Sequence, residues 1–377
     1  MISYLNKNLL QKNDTRRSIL FLMPSLRGGG AERVIVTLLR HLNPSLFRLS
    51  IAIVDLRNPV YKDDIPEHVE LIDLKCQRVR YALPKIITLI LCRQPDIVFS
   101  TLGHLNLALA LVRPILPNNT TYIARETIIV SYGIARYSNP KFWSLLYRKF
   151  YRKFDCIVCQ SQGMQSDLVD AYDLPLEKTV VINNPVDIPH VRALANTSFP
   201  LSRNSNSNCV FVAIGRLVPQ KGFDILIKAI RLLKNPNIEL FLLGDGPLRG
   251  ELKDLACIEG VSDQIHFVGF QKNPYMWLAQ ADAFVLSSRY EGFPNVVLEA
   301  LACGTPVIST PEPGGVQEIL NGIDECVISK KISADSLARS ISTWMNGSRK
   351  KVGSNATDMY TVAFIVSQYE SLFLGRT

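Results

Sequence analysis

Two carboxylates eight positions apart are the side chains of this chain best placed for chemistry. Glu291 and Glu299 bound the run Glu291-Gly-Phe-Pro-Asn-Val-Val-Leu-Glu299. The apolar residues 283–287 before it predict a buried strand, and Pro294 suits the first position of the helix that follows. We therefore expect Glu291 on a loop at the carboxyl end of a parallel strand, with Glu299 in the helix, a little over two turns after Glu291 and on about the same face. Open α/β sheets bind ligands at that edge. The alternative is two surface acids on an amphipathic helix.

Four further segments accompany this run in a fixed order. It continues as Leu301-Ala-Cys-Gly-Thr-Pro-Val-Ile-Ser309 and Gly314-Gly-Val-Gln-Glu318. Upstream lie Gly215-Arg-Leu-Val-Pro-Gln-Lys-Gly222 and, near the amino end, Gly28-Gly-Gly-Ala-Glu32. Together these segments resemble the retaining, nucleotide-sugar-dependent glycosyltransferases of family 4, whose E-x7-E signature the first run matches and which have the GT-B fold. The resemblance spans residues 28–318, which is most of the chain.

The resemblance implies a donor site in the second half of the chain. Glu299 would accept hydrogen bonds from the ribose hydroxyls of the nucleotide, because a carboxylate can accept from two adjacent hydroxyls. Glu291 would face the transferred sugar, binding its hydroxyls or stabilising an oxocarbenium-like state. The remaining donor-binding residues by resemblance are Gly215, Arg216, Lys221, Gly244, Pro294, Asn295 and Val296.

Arg216 and Lys221 are the candidates for neutralising the departing diphosphate. Metal-dependent sugar transferases usually hold a divalent cation with an Asp-x-Asp pair, and none of the 19 aspartates here has another two positions away. We therefore expect no metal site and no cofactor, with the guanidinium and ammonium groups supplying the positive charge. The alternative is two exposed cations on a loop.

The first half of the chain offers candidates for the acceptor side of the cleft. Gly28, Gly29 and Gly30 would let a substrate approach the backbone closely, or would simply form a tight turn. His104 follows the strand predicted at 97–101 and, by resemblance, would contact the donor sugar or the attacking hydroxyl. A surface or core histidine is equally compatible with the sequence. Arg125 ends another predicted strand at the same edge and resembles an acceptor or phosphate contact.

Short apolar runs alternate with longer helical periods along the chain, which indicates α/β architecture with parallel sheets. With the resemblance, this predicts two Rossmann-like domains facing across a cleft. Residues 1–185 would bind the acceptor and 186–356 the donor, while a terminal helix near 357–377 would pack back on the first domain. Strands are predicted at 18–24, 49–54, 97–101, 122–124, 156–160, 180–182, 209–214, 240–243, 265–268, 283–287 and 306–309.

Composition favours a cytoplasmic enzyme. The 377 residues are 47% hydrophobic and 20% charged, as is usual for soluble α/β proteins. No apolar run reaches the roughly 18 to 20 residues that span a bilayer. The leader at 1–17 has neither the apolar core nor the cleavage site of a signal peptide, and residues 200–208 suggest a linker or surface loop. Eight cysteines then indicate reduced thiols, and Cys156 with Cys159 is interpreted as a core pair rather than a zinc or redox site.

The net positive charge of the chain comes entirely from its first half. Residues 1–185 contain 24 Lys and Arg against 15 Asp and Glu, whereas residues 186–377 contain 18 of each. Much of the excess lies in segment 141–154, where aromatics at helical spacing (Trp143, Tyr147, Phe150, Phe154) alternate with cations (Arg148, Lys149, Arg152, Lys153). Such a mixture is typical of a helix at an anionic membrane surface. The alternative is an ordinary amphipathic helix with its aromatics in the core.

The sequence therefore predicts a metal-independent, retaining glycosyltransferase. It would move a hexose or N-acetylhexosamine from a nucleotide-diphosphate sugar to a hydroxyl of a lipid-linked or saccharide acceptor, with a UDP-sugar as the favoured donor and GDP-mannose as the alternative. The expected setting is surface polysaccharide or lipopolysaccharide synthesis, peripherally on the inner face of the cell membrane and without nucleic acid. Two alternatives remain: a sugar-nucleotide epimerase or phosphorylase on the same plan, and a non-enzymatic basic protein that binds membrane or nucleic acid.

Overall fold

Two parallel sheets form the framework of the chain. The computed structural model describes residues 14–197 and 209–376. The predicted linker at 200–208 and all but the last four residues of the predicted leader lie outside them. The first sheet has seven strands in the order β3-β2-β1-β4-β5-β6-β7, and the second has six in the order β10-β9-β8-β11-β12-β13. All pairings within both sheets are parallel. The predicted architecture of two Rossmann-like sheets is confirmed.

Helices alternate with the strands of the first sheet. Its strands are β1 (Arg17–Ser25), β2 (Phe47–Asp55), β3 (Glu70–Asp73), β4 (Ile97–Thr101), β5 (Thr121–Arg125), β6 (Cys156–Cys159) and β7 (Thr179–Val181). Its helices are α1 (Gly30–His41), α2 (Val79–Arg93), α3 (Gly103–Val112), α4 (Val130–Ile134), α5 (Pro140–Phe150) and α6 (Gln162–Tyr172).

The second sheet repeats this plan after the connecting helix α7 (Ile188–Ala195). Its strands are β8 (Cys209–Ile214), β9 (Ile238–Leu243), β10 (Ile265–Gly269), β11 (Ala283–Leu286), β12 (Val307–Ser309) and β13 (Val327–Ile328). Its helices are α8 (Phe223–Leu233), α9 (Arg249–Ile258), α10 (Tyr275–Gln280), α11 (Asn295–Ala302), α12 (Val316–Leu320) and α13 (Ala334–Asn346), and α14 (Val362–Leu374) ends the chain.

Burial on both faces explains why the central strands are continuous apolar runs. In β1, Leu20 and Leu22 pack into one core and Ile19, Phe21 and Met23 into the other, each at most 1% exposed. Helices cover both faces of such a sheet, so no alternation with polar residues is needed. The same reasoning accounts for β8 and β11 in the second half.

The terminal helix belongs to the core of the first sheet. Tyr369 and Phe373 of α14 are fully buried, and the Phe373 ring lies 5.5 Å from Phe99 and 6.2 Å from Phe21. The helix begins later than predicted, at Val362, because residues 358–360 form a 3-10 turn and the Thr361 side chain caps the helix. The edge strands β3 and β13 were not predicted. Both are short, and neither has a fully buried residue that would produce an apolar run.

The aromatic residues predicted to face a membrane pack inward instead. Tyr147 and Phe154 are buried, and Trp143 and Phe150 are half-buried, in the core that also contains Leu20 and Leu22 of β1. The core alternative was therefore correct for these four side chains. Different residues of α5 are exposed: Phe142 at 51% and Leu145 at 60%. Among the described residues, no helix combines the length and the apolarity needed to cross a bilayer.

Candidate functional site

The candidate residues lie where each sheet reverses its strand order. In the first sheet that point is between β1 and β4, and the loops that follow these strands carry Gly28–Gly30 and His104. In the second sheet it is between β8 and β11, whose loops carry Arg216, Lys221 and Glu291. A crevice forms at such a switch point because the flanking loops turn to opposite faces. The topology therefore gathers most of the predicted residues at two facing edges.

Glu291 lies at the base of the crevice in the second half. It is 7% exposed and follows β11 on the loop, as predicted. The Lys221 ammonium lies 2.6 Å from Glu291 Oε1, and the Ser288 hydroxyl donates to the same oxygen at 2.5 Å. Gln220 Nε2 lies 3.4 Å from Oε2. The two predicted charges thus form one ion pair at the base of the crevice.

A second carboxylate, Glu312, supports this loop and was missed by the sequence reasoning. It is fully buried and accepts hydrogen bonds from the backbone N–H groups of Glu291 at 2.8 Å, Gly314 at 2.7 Å and Val316 at 2.9 Å. The pKa of Glu312 is raised to about 7, mainly by burial and to a smaller extent by the negative charge of Glu291. The sequence feature that could have identified Glu312 is its position directly before Pro313 and the glycine pair of the 314–318 segment.

Two glycines allow the loops after β8, β9 and β11 to touch. Gly222 has φ +62°, and a Cβ there would collide with the carbonyl oxygen of Ser287. Gly244 has φ +130°, and its Cβ would collide with the carbonyl oxygen of Gly215. Only glycine tolerates both the left-handed backbone and this proximity. The contacts hold Gly215 and Gly244 at the crevice wall, while the Arg216 side chain is exposed with no recorded partner among the described residues.

Glu299 reaches across the crevice. It lies in α11, 6% exposed, and its Oε1 accepts a hydrogen bond from the Arg33 guanidinium of α1. Arg33 Nη1 also donates to the Tyr275 hydroxyl at 3.1 Å. Arg33 was not predicted as a site residue, although it directly follows the glycine loop and Glu32. Its ion pair joins two residues that are 266 positions apart.

The start of α11 contacts the glycine loop of the first half. Pro294 is buried at the N-cap of α11, and Asn295 and Val296 are the first two residues of the helix. Asn295 Nδ2 lies 3.4 Å from the carbonyl oxygen of Gly30, and Asn295 Oδ1 accepts from Asn184 Nδ2 at 2.6 Å. The first backbone N–H groups of a helix lack partners within it, so this helix start can bind an anion.

The glycine loop is a tight turn as well as a cleft wall. Gly28 has φ +98°, and a Cβ there would press against Val60 at 3.2 Å. A Cβ at Gly29 would collide with the Glu32 carboxylate, and one at Gly30 would lie 3.2 Å from Asn295 Nδ2. The glycine loop therefore forms a tight turn and also allows the opposite domain to approach its backbone closely, because Asn295 lies directly against Gly30.

His104 is the second residue of α3 and lies two positions after a strained residue. Leu102 has φ +75°, which is rare for a residue with a Cβ and is common where function requires a particular loop geometry. His104 is accessible to solvent, but the surrounding protein removes part of its water and lowers its pKa below the usual histidine value. The imidazole is therefore favoured in its neutral form near pH 7.

Arg125 lies beneath the crevice, and its side chain is fully buried. The guanidinium donates to Asn184 Oδ1 at 2.6 Å, to the Tyr369 hydroxyl at 3.2 Å and to Thr101 Oγ1 at 3.5 Å. Arg125 thus connects β5 to the segment that joins the two halves of the chain, through Asn184, and to the terminal helix α14, through Tyr369. Contact with an acceptor remains a prediction, and the visible geometry is that of a structural tie.

The sequence predicts no metal-binding residues. Within residues 14–197 and 209–376, no three His, Cys, Asp or Glu side chains gather in a way that would hold a metal ion. Metal independence of the reaction stays a prediction from the sequence. Cys156 and Cys159 lie in β6, and burial raises the pKa of Cys156 to about 11.

Comparison with known sequences covers both halves of the chain. Residues 28–189 match the family model described as Glycosyltransferase Family 4, and residues 197–359 match the model described as Glycosyl transferases group 1. An uncharacterised glycosyltransferase of Methanocaldococcus jannaschii is 34% identical over 66% of this chain and 63% of its own length, so the alignment spans less than two thirds of that relative.

A second relative is matched over most of its length. It is the N-acetylgalactosamine-N,N'-diacetylbacillosaminyl-diphospho-undecaprenol 4-alpha-N-acetylgalactosaminyltransferase of Campylobacter jejuni, 30% identical over 80% of this chain and 82% of the relative. Among solved structures, Anabaena HepE in complex with UDP superimposes with a TM-score of 0.75 over 95% of this chain, at 22% identity, and shows that the fold is GT-B. With the motif residues gathered at the facing switch points, the chain belongs to the family 4 glycosyltransferases.

Proposed function

We propose that the chain is a metal-independent, retaining glycosyltransferase that uses a nucleotide-diphosphate sugar and a lipid-linked acceptor. It would transfer a hexose or N-acetylhexosamine from the second domain to an acceptor hydroxyl presented by the first. The observation that carries the proposal is the contact of 2.6 Å between Lys221 Nζ and Glu291 Oε1 at the base of the crevice. Family membership makes an epimerase, a phosphorylase or a non-enzymatic protein less suitable explanations.

Lys221 and Arg216 would stabilise the departing diphosphate. The Lys221 side chain is 20% exposed, so its ammonium is accessible although it is paired. A phosphate oxygen would replace Glu291 as its partner, and the exposed Arg216 guanidinium offers a bidentate contact from the same loop. The N–H groups at the start of α11 add a fixed positive end to the same cradle. The negative charge of the departing diphosphate would therefore develop beside these donors.

Glu291 would act on the sugar rather than on the phosphate. Once Lys221 turns to the diphosphate, the carboxylate faces the transferred ring with the Ser288 hydroxyl still holding one oxygen. It would bind ring hydroxyls and stabilise positive charge at the anomeric carbon. Same-face attack by the acceptor hydroxyl then retains configuration without a covalent intermediate. His104, in its neutral form, is the group in the first domain suited to accept a hydrogen bond from that hydroxyl.

UDP is the favoured nucleotide and a lipid-linked glycan the favoured acceptor. HepE of the same fold was crystallised with UDP, and the Campylobacter relative is named for a diphospho-undecaprenol substrate. The first domain also has an apolar and basic surface on α5, where Phe142 and Leu145 are exposed beside Lys141 and Lys149. We propose that this α5 surface rests on anionic membrane lipid and brings the crevice to the acceptor.

The test separates metal chemistry from protein charge. Donor turnover with UDP-sugars is measured with and without a chelator, in the wild type and in Arg216→Ala and Lys221→Ala. We expect the chelator to leave turnover largely intact and each substitution to lower it by about 10² or more. Arg231→Ala is the matched control, since Arg231 is an exposed arginine in the last turn of α8, far from the loop. Loss of turnover with the chelator, restored by Mn²⁺, would refute the metal-free mechanism.

A further inference from the structure

A basic pocket lies on the first domain, one strand away from the crevice. The cavity has a volume of about 440 Å³ and is lined by Arg27, Arg57 and Asn58. Arg27 follows β1 directly before the glycine loop, and Arg57 and Asn58 follow β2. None of the donor-site residues described above contributes to its wall. We call this cavity the basic pocket.

One buried carboxylate orients both arginines. Asp55, the last residue of β2, is 7% exposed. Arg57 donates to it from Nε at 2.8 Å and from Nη2 at 2.7 Å, and Arg27 donates from Nη2 to the same carboxylate. Hydrogen bonds from Arg57, with the nearby charge of Arg27, hold the pKa of Asp55 well below its usual range. The Arg57 guanidinium is therefore oriented by two hydrogen bonds, and the Arg27 guanidinium is anchored by one.

The charges in the basic pocket do not cancel. Two guanidinium groups share one carboxylate, which leaves a net charge of +1. Within the described residues, nothing accepts a hydrogen bond from Arg27 Nε or Nη1 or from Arg57 Nη1. The side chains of Arg27 and Arg57 remain 52% and 59% exposed. Fixed, unsatisfied N–H groups of arginine match the oxygens of a phosphate.

Backbone geometry connects the basic pocket to the glycine loop. Asn58 has φ +51°, a left-handed conformation that turns the chain back towards β1. The Val60 N–H then donates to the carbonyl oxygen of Leu26 at 2.7 Å, and Val60 packs on Gly28. Arg27 of the basic pocket thus directly precedes the glycine loop, which borders the crevice. A ligand that lies across this loop can occupy both.

We propose that the basic pocket binds the diphosphate of a lipid-linked acceptor while the saccharide of that acceptor enters the crevice. This inference rests on the proposed function and names the part of the acceptor that the first domain recognises. β2 and β4 are separated by β1, so the ends of the strands that precede Arg57 and His104 lie roughly two strand spacings, about 10 Å, apart. That separation fits a short saccharide between the diphosphate and the reacting hydroxyl. The donor diphosphate has its own cradle in the second domain.

The test uses inorganic pyrophosphate as the probe. The full chain is first titrated with UDP, and pyrophosphate is then titrated with UDP saturating, so that the donor cradle is filled. We expect pyrophosphate to bind the wild type and to bind Arg27→Met/Arg57→Met roughly tenfold or more weakly. Arg40→Met is the matched control: Arg40 is 47% exposed and pairs with Asp64 in the same domain. If the wild type does not bind pyrophosphate, or the double variant binds it equally, the proposal is wrong.

Farnesyl diphosphate and inorganic phosphate identify the source of the anion. Tighter binding of farnesyl diphosphate than of pyrophosphate by the wild type, lost in the double variant, assigns the basic pocket to a lipid-linked diphosphate. Equal affinity for phosphate, pyrophosphate and farnesyl diphosphate would assign it to a free anion and overturn the proposal. Since the double variant leaves the buried Asp55 with only the backbone N–H of residue 57 as a partner, Asp55→Asn/Arg27→Gln/Arg57→Gln is measured as well and should show the same loss. If UDP itself fails to bind, the proposed function fails, and the pyrophosphate titration still decides the basic pocket.

Discussion

Arg33 and Glu299 form an ion pair at the site where the nucleotide ribose would bind, which predicts competition between Arg33 and the nucleotide. The pair occupies Glu299 Oε1, and a ribose diol needs both oxygens of the carboxylate. We therefore expect Arg33→Met to tighten the binding of UDP, because methionine keeps the length of the side chain without its charge. Glu299→Gln should weaken binding, since the amide can accept from only one of the two hydroxyls.

The magnitudes follow from the exposure of the two side chains. The Arg33 side chain is 37% exposed and that of Glu299 is 8% exposed, so the pair is partly screened by solvent. An ion pair of this kind contributes up to about 1 kcal/mol, which corresponds to roughly fivefold tighter binding when Arg33 is removed. A hydrogen bond to a charged group contributes roughly 1.5 to 3 kcal/mol, so Glu299→Gln should weaken binding by about tenfold or more.

The assay is a double-mutant cycle on the dissociation constant of UDP, measured by calorimetry. If Arg33 acts only by competing for Glu299, its removal should have little effect in the Glu299→Gln background. Arg136→Met is the control, because Arg136 Nη1 donates across the crevice to the Tyr290 hydroxyl at 2.8 Å without touching Glu299. Equal tightening by the control would point to loosened domain contacts. Weaker UDP binding in Arg33→Met, in both backgrounds, would refute the reasoning and make Arg33 a ligand of the nucleotide.

Two further predictions concern the membrane and pH. The protein should bind anionic but not zwitterionic vesicles at low salt, and Lys141→Gln/Lys149→Gln or Phe142→Ser should weaken this binding in a flotation assay; no binding to anionic vesicles would favour a soluble acceptor. Burial raises the pKa of Glu126 to about 7 from 4.5, so the folded protein holds this proton more tightly than the unfolded chain, and stability falls as pH rises between these values. The melting temperature of Glu126→Gln should accordingly fall less than that of the wild type between about pH 5 and 7.5, while the exposed Glu67→Gln should behave as wild type; identical pH profiles would contradict the raised pKa.

Much of the fold and of the candidate site could be predicted because local patterns determine them. The apolar runs of the central strands and the amphipathic helices between them indicate parallel sheets, and parallel strands place all their carboxyl-terminal loops at one edge. Glu291, Lys221 and Gly215 were therefore expected near one another, and they are. The terminal helix was expected against the first domain by resemblance, and its aromatic residues lie in that core.

Contacts between distant segments were not accessible to this reasoning. Arg33 meets Glu299 only because the two sheets face each other, and Glu312 underlies Glu291 only because the loop after β12 folds beneath the loop after β11. Neither pairing has a periodicity or a fixed spacing in the chain. Arg125 illustrates the same limit: its place at a strand end suggested the crevice, but the tertiary packing of Asn184 and Tyr369 buries it below.

The sequence by itself determined the alternation of the central strands with helices, the loops that carry most of the candidate site residues and the family to which the chain belongs. These properties depend on side-chain type and on spacings of a few residues, which the backbone geometry of a strand or helix converts directly into position. Only the tertiary structure decided which face of α5 is buried, which charges meet across the crevice and how Asp55 holds two arginines around a cavity. Those outcomes depend on how separate elements pack, because burial and ion pairing are energies of whole surfaces in contact rather than of a local segment.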